Sequence, residues 1–292
     1  MTVTINGNPI EIEIGESSLG DLLARLDDLV EKAGSVILGL TLDGKPVDPN
    51  DLPALRDTPA ASYDTLQIDS VPSCELRSRA FETLLDFLQR AKSWTESSDP
   101  AKDLQERWEN YRETYSGLLS SDEHSFLDML GRDIESLPGD PPASERQKLI
   151  RHTERLEPIF RERLDELTDP PAAMRAASVL YSSERENLKE VPVRLQTGKD
   201  AEAMRSILLF IEIFNKANRI LPELARTGTD TKNLRIEGKP LPEFYESFNV
   251  VLRQLMEAFE TKDAVLIGDL AEYEIVPKMN SFFDAVVGAL PT

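Results

Sequence analysis

The chain opens with apolar and polar residues in alternation, which is the period of a β-strand. Two alternating runs, 3–5 and 10–14, flank Asn6-Gly7-Asn8, whose residues readily take the positive φ angles of a tight hairpin turn. Alternation places the apolar residues of both runs on one face, and Glu11 and Glu13 on the other. Those apolar residues are Val3, Ile5, Ile10, Ile12 and Ile14. The pattern predicts a half-buried antiparallel hairpin.

A helix and two more strands are predicted after the hairpin. Residues 15–18 supply a helix cap, and Gly34 is a suitable stop. Between them lies a stripe of apolar residues at helical spacing, namely Leu19, Leu22, Leu23, Leu26 and Val30. Strands are predicted over 36–42 and 65–69, with a short helical turn at 48–55 between them.

From Cys74 onward the apolar period changes from 2 to 3.6, which predicts helices. The predicted helices are one that ends near residue 94, then 104–118, 126–137, 144–167, 172–189, 201–221, 243–259 and 264–290, the last kinked at Pro277. The stretch 207–214 has almost no polar face, which favours the centre of a bundle or an interface.

The sequence therefore predicts an α+β protein with two domains. Residues 1–72 form a small domain of strands and one helix, and residues 74–292 form an all-α helical bundle. A possible subdivision of the bundle lies near 138–143, where Pro138-Gly139-Asp140-Pro141-Pro142 interrupts the helical pattern.

The order hairpin, helix, strand, short turn and strand over residues 1–72 resembles the ubiquitin-like β-grasp fold. The resemblance is most specific at 40–47 (Leu-Thr-Leu-Asp-Gly-Lys-Pro-Val) and 64–68 (Asp-Thr-Leu-Gln-Ile). Ubiquitin-like domains carry an apolar-Gly-Lys turn and a Ser/Thr-Leu-x-apolar final strand in those places. A docking module is one role that the resemblance implies for this domain.

Two departures from ubiquitin limit what the resemblance implies. No Gly-Gly follows the last strand, which continues through Val71-Pro72-Ser73, so a conjugated modifier is excluded. Thr41 and Asp69 stand where ubiquitin presents its apolar patch. The predicted outer face of the sheet is polar and acidic, and consists of Thr4, Glu11, Glu13, Thr41, Gln67 and Asp69. Binding to ubiquitin receptors is therefore not implied.

The helical body has a resemblance of its own. Residues 195–204 read Leu-Gln-x-Gly-Lys-Asp-x-x-Ala-Met, and this segment resembles uncharacterised bacterial helical proteins. The resemblance implies a bacterial protein and brings no activity with it.

Charge and composition argue against two classes of partner. The chain has 53 Asp+Glu against 33 Lys+Arg, a net charge of -20, which repels nucleic-acid phosphates and anionic lipids. The most apolar stretch, 207–214, is too short to span a bilayer, and no signal peptide is recognisable. A single cysteine, Cys74, excludes an internal disulfide framework. We expect a cytoplasmic protein whose partner is neither nucleic acid nor membrane.

No catalytic, cofactor-binding or metal-binding residues are predicted. The two histidines, His124 and His152, lie in polar or charged helical stretches, and neither has the Glu three residues earlier that a di-iron site requires. The pair Gly198-Lys199 lacks the upstream glycine of a phosphate loop. The sequence leaves open whether this chain is an enzyme, and it favours a protein without catalytic activity.

Three groups of residues are candidates for interaction. The aromatic residues Trp94, Trp108, Tyr111 and Tyr115 either pack in the core or line a partner-binding groove. Glu212 either is buried in the apolar stretch 207–214 or faces solvent. Glu272-Tyr273-Glu274 either pairs an acid with a phenol across a groove or is a helix face with Tyr273 packed inward.

The leading hypothesis is a non-enzymatic protein-protein interaction or scaffolding protein. Its first domain would be a docking module and its helical body a partner-binding groove, as in an assembly factor or chaperone that holds an amphipathic helix. Two alternatives remain. One is a self-assembling structural protein that uses the apolar 207–214 face, and the other is an enzyme that uses carboxylate and tyrosine chemistry without histidine or metal.

Overall fold

A computed structural model describes residues 1–15, 17–96 and 100–291. The chain divides into two compact units, Met1–Arg161 and Glu162–Thr292, which are described separately below. The division falls inside one long helix, whereas the sequence placed its possible subdivision near 138–143. The domain boundaries at 72 and 74 stay predictions. The fold class is confirmed, since a mixed five-stranded sheet precedes a mostly helical body.

The sheet of the first unit has the order β2-β1-β5-β3-β4. Its strands are Thr2–Ile5 (β1), Asn8–Ile10 (β2), Ser35–Leu42 (β3), Lys45–Pro46 (β4) and Thr65–Pro72 (β5). β1 pairs in parallel with β5 at the centre, and the other pairings are antiparallel. The predicted turns at Asn6-Gly7 and Asp43-Gly44 are confirmed, because all four residues have positive φ.

The second strand of the hairpin is shorter than predicted. β2 ends at Ile10, because the chain then leaves the sheet edge and the carbonyl of Glu13 accepts a hydrogen bond from Arg25 at 2.7 Å. Ile12 and Ile14 still pack against the core. The predicted alternation of buried and exposed side chains therefore extends beyond the strand itself.

Helix α1 (Leu19–Lys32) covers one face of this sheet and closes the core of residues 1–72. Ser18 begins the helix with a reciprocal cap, in which its side chain accepts from the backbone N–H of Asp21 and Asp21 accepts in return. Of the predicted stripe, Leu19, Leu22, Leu26 and Val30 are buried. Glu16, within the predicted cap segment, lies outside the described residues.

The rest of the chain is helical apart from one small hairpin at Arg235–Ile236 (β6) and Lys239–Pro240 (β7). The further helices of the first unit are Leu52–Leu55 (α2), Ser73–Glu96 (α3), Ala101–Tyr115 (α4), Ser121–Glu135 (α5) and Ala143–Thr168 (α6), whose C-terminal end enters the second unit. Those of the second unit are Pro170–Lys189 (α7), Val191–Gln196 (α8), Asp200–Leu224 (α9), Leu241–Glu260 (α10), Ala264–Asp269 (α11) and Val276–Gly288 (α12). The helix α8 was not predicted.

The core of the second unit contains a cluster of phenylalanine rings from α9, α10 and α12. Phe214 of α9 meets Phe248 of α10 edge to face, with ring centroids 4.9 Å apart. Phe282 of α12 stacks on Phe244 at 6.0 Å and lies 6.3 Å from Phe214. These contacts fix the three helices against one another.

The predicted last helix, 264–290, is interrupted as expected near Pro277. A π-helical turn, Leu270–Ile275, separates α11 from α12, and Pro277 occupies the first turn of α12. Pro277 has no N–H to donate to the preceding turn, which explains why the α-helical pattern breaks there. Gly268 of α11 packs so closely on Pro192 that a Cβ at that position would lie 2.8 Å from the proline ring.

Of the two alternatives for 207–214, burial in the centre of a bundle holds for one side of the helix only. Ile207, Phe210, Ile213 and Phe214 are buried, but the opposite side of α9 faces solvent. This exposed side of α9 carries apolar as well as polar residues.

Candidate functional site

Three of the four predicted aromatic residues come together on α4. Trp108 stacks on Tyr111 with centroids 5.8 Å apart, and Tyr111 lies 5.4 Å from Tyr115. Phe87 of α3 closes the row at 5.4 Å from Trp108. Trp94 packs elsewhere, under the guanidinium of Arg146 at 4.9 Å. Trp108 and Tyr111 are buried, so core packing accounts for much of this cluster.

The same cluster also lines a cleft of about 640 Å³ between α4 and α5. The Nε1 of Trp108 and the hydroxyl of Tyr111 are buried and have no hydrogen-bond partner among the described residues. Gly131 of α5 allows a close approach to the indole, since a Cβ there would lie 3.2 Å from Nε1 of Trp108. Core packing therefore accounts for Trp108 and Tyr111, and partner binding at this cleft stays a prediction.

A buried ion pair lies behind this cleft. Glu123 of α5 is 1% exposed, and Arg77 of α3 donates to its Oε1 at 2.9 Å. The other oxygen of Glu123 accepts from the backbone N–H of Ser120 at 2.7 Å, which completes the cap of α5. Burial, and next the charge of Glu123, raise the pKa of the Tyr111 hydroxyl, so Tyr111 stays neutral.

Both histidines contact named partners. His152 of α6 places its Nδ1 2.5 Å from Oδ2 of Asp133 on α5, and Lys148 lies 2.5 Å from the other oxygen of Asp133. Nε2 of His124 lies 2.9 Å from the carbonyl of Ser116. No group of His, Cys, Asp and Glu in the described parts of the chain is arranged to hold a metal ion.

The remaining predicted residues do not form a site together. Of the alternatives for Glu212, the solvent-facing one is correct, since its side chain is exposed. Tyr273 is 65% exposed, so the prediction that it packs inward is wrong, because the π-helical turn changes the phase of the helix at this point. Neither Glu212 nor Glu272 lines any of the four main cavities found among the described residues.

Part of the apolar 207–214 face that the sequence singled out stays exposed on α9, together with Met204. Met204, Leu208 and Ile211 are 41%, 53% and 38% exposed. Their spacings of four and three residues place them on one side of the helix, next to the buried face. They form a continuous exposed apolar row about two turns long.

Helix α10 continues this surface. Phe214 contacts Phe248, and the hydroxyl of Tyr245 donates to Asn218 at 2.7 Å, so α9 and α10 run antiparallel. Tyr245 thereby marks the side of α10 that faces α9. Leu252 and Met256 follow it at spacings of seven and four residues, and therefore share that side.

The combined surface is called the α9–α10 stripe below, and it consists of Met204, Leu208, Ile211, Leu252 and Met256. Leu252 is half-buried and Met256 is 63% exposed. Methionine adapts its shape readily, and it is common at surfaces that bind partner proteins. The sequence pattern of 201–221 did indicate this exposed row. Apolar residues occur there on more sides of the helix than are needed to form one core.

In comparisons with known proteins, the α9–α10 stripe lies inside a segment that matches a family model. Residues 174–285 match a model described as a domain of unknown function (DUF8042), and residues 1–72 match one described as the TP0873 N-terminal domain. The α9–α10 stripe lies wholly within 174–285. The second match ends at the residue where the sequence predicted the end of the first domain.

One curated relative is an uncharacterised protein of Treponema pallidum (strain Nichols). It is 28% identical to this chain over 119 residues, which are 41% of the chain and 59% of the relative. The chain thus spans less than two thirds of the length of this curated relative. No solved structure matches the chain. None of the helices within the described residues is long and apolar enough to cross a membrane.

Tyr245, at the border of the stripe, makes the second unit sensitive to high pH. Burial raises the pKa of Tyr245 to about 12, against about 10 in an unfolded chain. Stability from the neutral phenol is fully present below pH 10 and is lost as the pH rises to 12, because the unfolded chain ionises first. We expect a loss of about 1–2 kcal/mol, reduced from the full linkage value because Tyr245 is only partly buried.

Urea unfolding followed by circular dichroism at pH 8 and at pH 11.5 measures this loss. The variant Tyr245→Phe should show a smaller loss than the wild type, whereas Tyr273→Phe, which changes an exposed phenol, should behave like the wild type. Equal pH dependence in all three proteins would contradict the assignment to Tyr245.

Proposed function

We propose that this chain is a non-enzymatic interaction protein whose second unit binds another protein through the α9–α10 stripe. One observation carries the proposal, which is the exposed row Met204, Leu208 and Ile211 on a helix whose other face already supplies the core. Soluble proteins seldom leave a contiguous apolar surface uncovered unless something binds there.

The first domain then acts as a docking module with a ubiquitin-like β-grasp fold. The strand order β2-β1-β5-β3-β4, with a parallel central pair and α1 across one face, supports this proposal. Gln67 and Asp69 are exposed on its sheet, and Glu11 and Glu13 are exposed in the segment that follows β2. This domain therefore meets a polar or basic surface rather than an apolar one. Such a protein acts in the bacterial cytoplasm as an assembly factor or chaperone.

Self-association is the second candidate function, and the same stripe favours it. A surface made of Leu208, Ile211 and Met256 can pair with its own copy across a twofold axis. The buried residues of 207–214 cannot take part, since they already form the core of the second unit. The interface would therefore be narrower than the sequence alone predicted.

Site-specific photo-crosslinking of the full chain, in the cells that make it, tests both candidates. A photoreactive amino acid replaces Leu208 in one variant, Met256 in a second and Ser182, an exposed residue of α7, in a control. We expect one discrete product from the Leu208 and Met256 variants and none from the control, with the crosslinked peptides identified by mass spectrometry.

The mass of the product separates the candidates. Crosslinks to a different protein support the partner-binding function, and crosslinks to a second copy support self-association. Identical patterns from all three positions, or no product from Leu208 and Met256, would refute the stripe as a binding surface.

A further inference from the structure

We infer that the occupant of the α9–α10 stripe is an amphipathic helix whose apolar face is bordered by lysine or arginine. This inference rests on the proposed function and adds the shape and charge of the partner. Neither the family matches nor the relative assigns any ligand to this surface.

The shape follows from the two helices that form the stripe. The two helices touch through Phe214, Tyr245 and Phe248. A third helix can pack its ridges of side chains against the apolar side chains that both helices leave exposed beside this contact. The row from Met204 to Ile211 extends about 10 Å along α9, at 1.5 Å per residue. This length matches two to three turns of a partner helix that presents apolar residues at i, i+3 or i+4, and i+7.

The charge follows from the carboxylates at the borders of the stripe. Glu212 is one turn beyond Leu208, Glu260 is one turn beyond Met256, and Glu246 follows Tyr245. All three carboxylates are exposed, and none forms an ion pair within the described parts of the chain.

Arg253 is a cation on the same stretch of α10, and it too is exposed. Arg205 of α9, three residues before Leu208, is a second exposed cation. Three carboxylates against these two guanidiniums give the borders a negative balance, in line with the chain's net charge of -20. Exposed acids beside an apolar surface attract a partner with basic residues beside its own apolar face, and they disfavour an acidic partner. The apolar surface alone would bind basic and acidic amphipathic helices equally well. The carboxylates at its borders favour the basic ones.

Three synthetic peptides of 18 residues, each with a fluorescent label, test the inference against the full-length protein. The first has leucines at i, i+3, i+4 and i+7 with lysines at the flanking positions. The second has glutamates in place of those lysines, and the third has the composition of the first in scrambled order. Fluorescence anisotropy gives each dissociation constant at low and at high salt.

We expect the lysine-flanked helix to bind at least tenfold more tightly than the glutamate-flanked one, which corresponds to about 1.4 kcal/mol. The preference should shrink as salt rises, because exposed charges are screened. The scrambled peptide should bind far more weakly than the first, since it keeps the charge and loses the apolar face.

Variants of the protein locate the effect. Glu212→Gln/Glu260→Gln should reduce the preference severalfold, whereas Glu274→Gln/Asp284→Asn, which removes the same charge from exposed residues outside the stripe, should leave it unchanged. Leu208→Asn should weaken the binding of the first two peptides alike, because both use the same apolar groove.

Each negative result of these experiments would overturn a different claim. Equal affinities for the lysine and glutamate peptides, or equal effects of the two charge variants, would overturn the basic-partner inference and leave the proposed function in place. Failure of every peptide, with position-specific photo-crosslinks still obtained at Leu208, would overturn the helical shape of the partner. Only the loss of those crosslinks would overturn the proposed function itself.

Discussion

Replacing Phe282 by alanine should lower the free energy of unfolding of the second unit by about 3–5 kcal/mol, the usual result of emptying a buried phenylalanine site. The ring is fully buried, and its centroid lies 5.3 Å from that of Phe283, 6.0 Å from Phe244 and 6.3 Å from Phe214. These rings come from three helices that meet around Phe282, so the cavity cannot close without moving a helix.

Urea unfolding followed by circular dichroism at 222 nm measures this effect on the helices. Tyr273→Ala is the matched control, because it removes an exposed aromatic ring from the turn that precedes α12 and should change stability by less than about 1 kcal/mol. Both tryptophans, Trp94 and Trp108, lie in the first unit, so their fluorescence reports separately on residues 1–161. A loss below about 1 kcal/mol for Phe282→Ala would contradict the central place of this ring.

The helices of the body were predictable because each is stabilised by a local pattern. A period of 3.6 over twenty residues, as in α9, is specified by the sequence within the helix itself. The caps are local too, and Ser18 and Ser120 each bond to a backbone N–H three residues ahead. The short helix α8 escaped prediction because Pro192 and Gly198 read as interruptions, although proline is favourable in a first helical turn.

Which side of an apolar helix stays exposed was not predictable in the same way. Ile207 and Leu208 are adjacent and chemically alike, yet Ile207 is 2% exposed and Leu208 is 53% exposed. The difference depends on where α7, α8 and the other helices that pack on α9 lie, and the sequence of α9 itself does not specify this. The pattern of α9 alone therefore left open whether its apolar stretch lies in the core or at an interface, and it left both alternatives for Glu212 open for the same reason.

The aromatic cluster shows what spacing can and cannot reveal. Trp108, Tyr111 and Tyr115 share a face of α4 by spacing alone, and their contact was foreseeable. Trp94 belongs to a different helix, and its position under Arg146 depends on α6, which starts nearly fifty residues later. The pairing of Arg77 with Glu123, 46 residues apart, left no local signal either.

That pair gives the second large expected effect. Arg77→Met should lower the free energy of unfolding of the first unit by about 2–4 kcal/mol, because it removes the guanidinium that bonds to the buried carboxylate of Glu123. The value is set below that of a fully enclosed pair, since the side chain of Arg77 is 29% exposed and water reaches it. Tryptophan fluorescence during urea unfolding at pH 7 measures this change in the unit that contains Trp94 and Trp108.

The double variant Arg77→Met/Glu123→Gln decides whether the loss comes from a stranded charge or from lost packing. Removal of both charges should restore more than half of the stability, because the neutral amide oxygen can still accept the hydrogen bond from the N–H of Ser120. Arg79→Met is the matched control, since Arg79 pairs with Glu75 on the open surface of the same helix and should contribute under about 1 kcal/mol. If the double variant were no more stable than Arg77→Met, the stem of Arg77 packed on Phe81 would be the main contribution, and the buried charge would be a minor one.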